Sequence, residues 1–351
     1  MNKDGYLEEL QKLKKLMQKF KNSQFSAYAK VVALTTIVIR WEKVALLTKQ
    51  LKKHPYFYVQ QIIQDAAVLF KSLVDIAYIE SEERNLRGEK SYFQEKKHKE
   101  LYNEIWDRYD EKSYREFIDR SIHRVKVNRL TNLIKDKRCI DFGCGNGHAC
   151  FAFLELGAML VAGIDFGDKS VAYAKRYARS HGWDKKSKFK LTTVYETGFP
   201  SDYFDYAIQN GVFHHLSNDE KAIQEVRRVL KKGGWFWYYV DGEGAVCMNL
   251  ADTAVEILKD VPVLFIEQVL NSMNVSRNKT VHIMDTLSAT YIHSSWDEAT
   301  KKLAKFGFGN FRRLTGGYVT DFDLDRIQKD KYGKEKFGGG DLRILCQLIK
   351  K

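Results

Sequence analysis

Hydrophobic and polar positions follow two different patterns along the chain. In the first 136 residues, apolar side chains recur at helical spacing, and the first such run predicts an amphipathic helix through Leu7, Leu10, Leu13, Met17 and Phe20. Residues 26–50 and 58–80 are rich in aliphatic side chains and predict two further helices. From residue 138 onward, short apolar runs bounded by turn residues indicate strands, with helical patterns between them.

The second region predicts seven strands and at least three helices. The expected strands are 139–142, 160–164, 189–193, 204–209, 235–240, 311–314 and 342–349. The expected helices after the second strand are 218–230, 251–273 and 295–306. Lys231-Lys232-Gly233-Gly234 is interpreted as a helix stop, because cations in a last turn and glycine after it favour a helix end.

The first two strands enclose the most informative stretch, RCIDFGCGNGHACFAFLELGAMLVAGIDF (residues 138–166). It predicts a βαβ unit with Gly143, Gly145 and Gly147 after the first strand and Asp165 at the end of the second. Glycines allow a ligand to approach the main chain, and an acid at that strand end can accept from ribose hydroxyls. The spacing is G-x-G-x-G, whereas dinucleotide sites have G-x-G-x-x-G. Asp141, two residues before the first glycine, suits a cation better than a pyrophosphate.

This arrangement resembles the first motif of class I S-adenosylmethionine-dependent methyltransferases, commonly D-x-G-x-G-x-G. The resemblance implies an α/β fold: a Rossmann-like, seven-stranded, mostly parallel sheet with helices on both faces, preceded here by an N-terminal all-helical module. We expect that module at 1–90 and the methyltransferase domain at 91–351, with its core at 138–245 and a lid insertion at 241–290. The implied cofactor is S-adenosyl-L-methionine. The candidate cofactor-binding residues are Asp141, Phe142, Gly143, Cys144, Gly145, Gly147, Asp165, Phe166, Tyr195, Glu196, Gln209 and Asn210.

One position departs from the family pattern. Members commonly carry an Asp after the third strand that accepts from the adenine amino group, and counting back from Phe199-Pro200 places Tyr195 there, with Glu196 next to it. Two alternatives stay open: the carboxylate role moves by one residue to Glu196, or adenine is held by stacking and main-chain contacts.

The candidate catalytic residues follow the fourth and fifth strands, where an open parallel sheet binds its ligands. They are His214, His215 and Asp241, and packing or capping is the alternative role for the histidines. The segment Asn210–His215 lacks the Asn/Asp-Pro-Pro-aromatic box of nucleic-acid amine methylases and the Pro-Cys pair of cytosine C5-methylases. It is similar to methyltransferases that modify quinones and natural products, which implies a small or medium-sized acceptor, or a group displayed by a carrier or peptide. An RNA methyltransferase and a non-catalytic cofactor-binding scaffold are the alternatives.

Charge and cysteine content qualify this interpretation. The 351-residue chain has a net charge of +13, and residues 1–53 hold 12 Lys plus Arg against 4 Asp plus Glu, a net of +8. That excess is consistent with a solvated helical face, with an anionic partner such as RNA, or with a helix lying on a membrane surface. The five cysteines (139, 144, 150, 247 and 346) contain no C-x-x-C pair, so neither a metal site nor a disulfide framework is expected. We expect a cytoplasmic protein without a membrane span.

The helix expected just before the first strand carries Tyr102, Trp106 and Tyr109 on one face. Such rings either cover the cofactor through cation–π attraction or pack in a core. For the N-terminal module as a whole, we expect docking on the catalytic domain, where it shapes the acceptor pocket or a homodimer contact. The alternative is an independent tether to RNA or membrane.

Overall fold

A computed structural model describes residues 3–21, 23–47, 51–76, 111–289 and 291–351. The chain forms two compact units, each assembled from three stretches. The helical unit comprises Met1–Leu101, Gly244–Thr290 and Arg326–Gly338. The sheet unit comprises Tyr102–Glu243, Tyr291–Asp325 and Gly339–Lys351. The boundary expected near residue 90 and the aromatic residues Tyr102, Trp106 and Tyr109 lie outside the described residues.

The strands are β1 Arg138–Phe142, β2 Leu160–Asp165, β3 Ser187–Leu191, β4 Phe204–Asn210, β5 Leu230–Asp241, β6 Phe308–Arg313 and β7 Asp341–Leu348. The described helices are α1 Asp4–Gln18, α2 Gln24–Glu42, α3 Pro55–Ile76, α4 Glu111–Val127, α5 Thr131–Ile134, α6 His148–Glu155, α7 Asp168–Ser180, α8 Asp219–Val229, α9 Val246–Ile257, α10 Val263–Ser272, α11 Arg277–Ser288, α12 Trp296–Lys305, α13 Leu324–Lys329 and α14 Gly333–Phe337.

The sheet unit is built on one seven-stranded sheet with the strand order β3-β2-β1-β4-β5-β7-β6. Strands β1 to β5 run parallel, while β7 is antiparallel to both β5 and β6. Chain direction therefore carries the ends of β1, β2, β4 and β5 to the same edge of the sheet. The expected Rossmann-like, mostly parallel fold is confirmed.

Alternation along β1 divides the core between the two faces of the sheet. Ile140 and Phe142 pack with residues of α8 and α12, such as Ile223 and Leu303. Cys139 points to the opposite face, where it joins a cluster containing residues of α4, α6 and α7. Successive side chains of a strand point to opposite faces of the sheet. A parallel strand that lies between two layers of helices is therefore apolar on both of its faces.

The helical unit joins the N-terminal helices to the insertion that follows β5. Leu10, Leu13 and Met17 of α1 are buried, and α1 packs on α3 and α9. Tyr6 accepts a 2.8 Å hydrogen bond from Nδ2 of Asn249 in the insertion. The apolar stripe that a membrane-surface helix would insert is thus already buried within this unit, which favours the solvated-face interpretation of the basic segment. No described helix is long and apolar enough to cross a membrane.

Three expected elements differ from the observed ones. The helix expected at 251–273 is two helices, α9 and α10, because Pro262 lies between them and its backbone is extended. The stretch expected as a helix stop at 231–234 belongs to β5, which begins at Leu230 opposite Phe204. The helix expected at 26–50 ends at Glu42 and continues as a π-turn, Lys43–Leu47.

Candidate functional site

The order of the strands places a crevice next to the end of β1. In the sheet, β2 and β3 lie on one side of β1, whereas β4 and β5 lie on its other side. The direction in which successive strands are added to the sheet therefore reverses between β1 and β4. Ligands of open α/β sheets bind outside the carboxyl ends of the strands at such a reversal. The two segments that leave these strands are residues 143–147, here the glycine turn, and residues 210–215, here the histidine turn.

Main-chain geometry defines the glycine turn. The amides of Gly143 and Cys144 both donate to the carbonyl of Ile164, at 2.8 and 2.9 Å, so β1 and β2 are joined at the start of the turn. Gly143, Gly145 and Gly147 have φ angles of 78°, 51° and 88°, a region that L side chains rarely adopt. A Cβ on Gly143 would lie 2.5 Å from a methyl carbon of Val212. Glycine is therefore required at this position for both its conformation and its size.

Asp165 is bound directly to this turn. Its Oδ2 accepts a 2.8 Å hydrogen bond from the amide of Gly145, and its Oδ1 accepts one of 2.7 Å from the amide of Gly167. The structure thus brings the predicted acid and the predicted glycines together. Phe166 follows Asp165 and is half-buried.

Asp141 is a buried carboxyl group directly below the turn. Its side chain is on the same strand end as Gly143, and 4% of the residue is exposed. Burial, with a smaller contribution from the Asp165 carboxylate, raises the pKa of Asp141 to about 8. At neutral pH the Asp141 carboxyl is therefore mostly protonated. A cation bound beside it would favour its ionised form, and would interact favourably with the Asp165 carboxylate as well.

Two further candidates in this stretch are core side chains. Phe142 is fully buried, and its ring centroid lies 6.1 Å from that of Phe213. Cys144 is also buried, and its Sγ packs against Gly163. A Cβ added to Gly163 would lie 2.7 Å from that Sγ. The predicted contact of these two residues with a cofactor stays a prediction. Gly163 was missed by sequence reasoning, although a lone glycine inside a strand signals such close packing.

The loop after β3 carries Tyr195 and Glu196. Tyr195 is half-buried, with Nζ of Lys221 5.5 Å from its ring centroid, while Glu196 is exposed. Both alternatives for the adenine contact stay predictions.

Two residues that sequence reasoning missed hold this loop in place. Glu225 of α8 accepts from the Thr197 amide at 2.8 Å and from Arg228 at 2.7 Å. Arg228 also donates to the carbonyl of Phe199 at 2.8 Å. Burial opposes ionisation of Glu225, but the hydrogen bonds from Arg228 and Thr197 outweigh it and lower the pKa of the carboxyl. The i, i+3 spacing of the pair on a helix was the available signal.

The histidine turn is organised by Gln209. Its Nε2 donates to the carbonyl of Tyr239 at 2.7 Å, and its Oε1 lies 3.2 Å from the amides of Val212 and Phe213. The side-chain amide of Gln209 therefore joins β4 to β5 and shapes the turn. Its contact with a cofactor stays a prediction. Asn210, at the end of β4, is exposed.

His214 and His215 lie side by side in a short 3₁₀ turn, and both are at least 94% buried. Their ring centroids are 4.2 Å apart, and each ring packs against Tyr291, at 5.2 and 4.6 Å. Nδ1 of His214 lies 3.3 Å from the main-chain nitrogen of Asp241 and 3.8 Å from its Oδ2. The three candidate catalytic residues are thus neighbours at the ends of β4 and β5.

Asp241 is also part of a buried polar network. The hydroxyl of Tyr239 donates to Oδ1 of Asp241 at 3.0 Å and lies 3.4 Å from Oδ1 of Asp341. Nη1 of Arg343 lies 2.8 Å from Oδ2 of Asp341, and its guanidinium carbon lies 4.8 Å from the Tyr239 ring centroid. Among the described residues, no group of three or more His, Cys, Asp or Glu side chains has an arrangement that could hold a metal ion.

A comparison with protein-family models agrees with this geometry. Residues 133–307 match a family described as a methyltransferase domain, and the matched range contains the glycine turn, Asp165 and the histidine turn. The chain belongs to the class I S-adenosylmethionine-dependent methyltransferases.

Similar curated proteins match over about a third of this chain. An uncharacterized methyltransferase, YcgJ, of Bacillus subtilis is 34% identical over 101 residues, which is 29% of this chain and 39% of that protein. Sterol 24-C-methyltransferase ERG6B of Gibberella zeae is 34% identical over 131 residues, 36% of this chain and 34% of that protein. The tRNA U34 carboxymethyltransferase of Campylobacter fetus is 31% identical over 112 residues, 31% of this chain and 39% of that protein. The chain thus spans about two fifths or less of these relatives.

Proposed function

We propose that this protein transfers a methyl group from S-adenosylmethionine to a small or medium-sized metabolite, or to a group displayed by a carrier or peptide. The observation that carries the proposal is the glycine turn bonded to Asp165 at the reversal of the sheet. A Cβ at Gly143 would fill the space beside Val212, and the Asp165 carboxylate, a group that can accept from ribose hydroxyls, is bound to the amide of Gly145. These residues fit the cofactor that the family uses.

Each element of the crevice would have a separate part in binding. Asp165 would accept from the ribose hydroxyls, Asp141 would favour the positive charge, and the loop of Tyr195 and Glu196 would face the adenine. When bound, S-adenosylmethionine supplies a methyl group on a positively charged sulfur. The protein's contribution is then to position the acceptor in line with that methyl group and to exclude water.

His214, His215 and Asp241 are the candidates for removing a proton from the acceptor. Their burial excludes water from the end of β4, which strengthens any electrostatic interaction there. An acceptor that has already lost its proton needs no base, so a role for these residues points to a hydroxyl, an enol or a protonated amine.

The relatives support methyl transfer as the reaction, but they are not named for one common class of acceptor. One is named for a sterol and another for a tRNA nucleotide. The second candidate, an RNA substrate, is favoured by the net charge of +13. A cofactor-binding protein without turnover is the third.

Transfer of labelled methyl from the cofactor into cell extract separates the three. The proposal predicts label in the small-molecule or protein fraction, unchanged when the extract is first treated with ribonuclease. Label lost after ribonuclease treatment would identify RNA as the acceptor and contradict the small-molecule assignment. Cofactor binding without any transfer of label would support the non-catalytic alternative.

A further inference from the structure

Asn146 places a side-chain amide inside the glycine turn, between Gly145 and Gly147. The residue is fully buried. Among the residues that the structure describes, its Nδ2 has no hydrogen-bond partner. Burial of an unpaired donor is unfavourable, so such an atom in a native fold indicates a group that binds there. The amide lies in the turn that the cofactor is expected to approach.

Two contacts fix the position of Asn146. The hydroxyl of Tyr114, on α4, donates to the main-chain oxygen of Asn146 at 2.8 Å. Nδ1 of His148, the first residue of α6, lies 3.1 Å from Oδ1 of Asn146. An amide oxygen only accepts, so Nδ1 carries the proton in this contact. The amide is therefore oriented with Nδ2 as its remaining polar atom.

The electrostatic environment at this end of the turn suits an anion. Burial, followed by the positive charges of Arg124 and Arg120 on α4, lowers the pKa of the His148 ring to about 4. Arg124 acts on the ring in this way although it also pairs with Asp321 at 3.0 Å. In addition, α6 begins at His148, and the amino end of a helix favours negative charge. An anionic acceptor beside Asn146 would therefore be stabilised.

The cofactor has one anionic group that matches this environment. S-Adenosylmethionine can accept hydrogen bonds at its adenine, its ribose and the carboxylate of its methionine part. The contacts proposed above assign the ribose to Asp165 and the adenine to the loop of Tyr195 and Glu196. The carboxylate is the group that remains, and hydrogen bonds to an ionised acceptor are stronger than those between neutral groups.

We propose that Nδ2 of Asn146 donates to the carboxylate of S-adenosylmethionine, and that Tyr114 is the positioning residue that holds the turn for this contact. The inference rests on the cofactor named in the proposed function. It concerns binding alone, since no covalent bond forms or breaks at Asn146. A binding measurement therefore tests it without any acceptor.

Calorimetry of the full chain with two ligands tests this contact. S-Adenosylmethionine is compared with its decarboxylated form, which keeps the nucleoside, the sulfonium and the amine and lacks only the carboxylate. Wild type should bind the decarboxylated form at least about 10-fold more weakly. Asn146→Ala should bind S-adenosylmethionine about 10–100-fold more weakly than wild type, with its affinity for the decarboxylated form unchanged within about twofold. Tyr114→Phe should show the same selectivity with a smaller loss, about 2–10-fold.

Asn310→Ala is the matched control, because Asn310 is exposed on β6 and its amide donates to Gln347 at 2.8 Å. It should bind both ligands as wild type does. If Asn146→Ala does not fold, Asn146→Leu removes the same polar atoms, keeps the branched shape and should show the same selective loss.

The inference would be overturned by a wild type that binds both ligands equally. It would also be overturned by an Asn146 variant that loses affinity for both ligands alike or for neither. A Tyr114→Phe protein identical to wild type would refute the positioning role. Absence of any binding by wild type would refute the cofactor together with this contact, whereas failure of methyl transfer alone would show separately, in the labelled-methyl assay.

Discussion

The glycine turn and the histidine turn follow neighbouring strands, but they are held by different means. The glycine turn is fixed by main-chain hydrogen bonds within residues 143–167 and by one carboxylate, Asp165. The histidine turn depends on side chains that are distant in sequence, including the rings of Tyr239 and Tyr291. The glycine turn can keep its shape when other regions are substituted. The shape of the histidine turn should change when any of the residues that it contacts is substituted. Cofactor binding and acceptor chemistry should accordingly respond to different substitutions.

The most drastic way to isolate the glycine turn is to delete residues 1–90. This removes α1, α2 and α3, against which α9, α10 and α11 of the insertion pack. The fragment should be poorly soluble because it exposes apolar side chains of those insertion helices. Cofactor binding by the soluble remainder should persist, as measured by calorimetry. A fragment that is soluble and fully active on free acceptor would contradict the shared packing of the helical unit.

Substitution of the histidines should lower the rate of methyl transfer without lowering the affinity for the cofactor, and so distinguish the histidine turn from the glycine turn. If His214 is the proton acceptor, His214→Gln should lower the rate of labelled-methyl transfer by about 10²–10⁴-fold with cofactor affinity retained. His215→Gln is the comparison, since its ring has similar burial and also contacts Tyr291. A parallel loss of thermal stability and activity in His214→Gln would assign the residue to packing instead.

A methyl group on Gly143 should damage the glycine turn itself. Gly143→Ala combines a left-handed backbone with a 2.5 Å approach to Val212. Gly182→Ala is the matched control, because its φ is 69° and nothing lies within 4 Å of the added carbon. Gly182→Ala should lower the free energy of unfolding by about 1 kcal/mol, from backbone strain alone. Gly143→Ala should lower it by about 1–3 kcal/mol more, as measured by denaturant unfolding. Equal costs would show that Val212 yields without penalty.

Asp141 should give a change in stability that depends on pH. Its pKa is about 8 in the folded protein, against about 3.9 in an unfolded chain. Folding therefore takes up a proton between those values, so the stability that this carboxyl contributes at low pH is lost as pH rises from about 4 to 8. Asp141→Asn should flatten that slope, so its Tm should rise relative to that of wild type as the pH increases from 5 to 8. A constant Tm difference between pH 5 and pH 8 would contradict the raised pKa.

Much of the sheet and the glycine turn were predictable because their signals are local. Glycines with left-handed backbones and an acid at a strand end lie within one 29-residue stretch, RCIDF through AGIDF. The β5 start was missed because Lys231–Gly234 has the composition of a helix stop, and only the pairing of Leu230 with Phe204 extends the strand back to residue 230. The i, i+3 spacing of Glu225 and Arg228 was visible in the sequence, but their contacts with the loop after β3 and the network of Tyr239 with Arg343 were not predictable. Their members come together only when α8 and β7 are placed against the sheet.

Calorimetry of S-adenosylmethionine binding tests the central claim most directly. Wild type should bind at micromolar affinity, roughly −8 kcal/mol. Asp165→Asn, which keeps one accepting oxygen but loses the charge, should weaken binding by about 1–3 kcal/mol. Asp184→Asn, an exposed acid in the turn before β3, should bind as wild type does. No heat with S-adenosylmethionine, or tighter binding of NAD, would contradict the account.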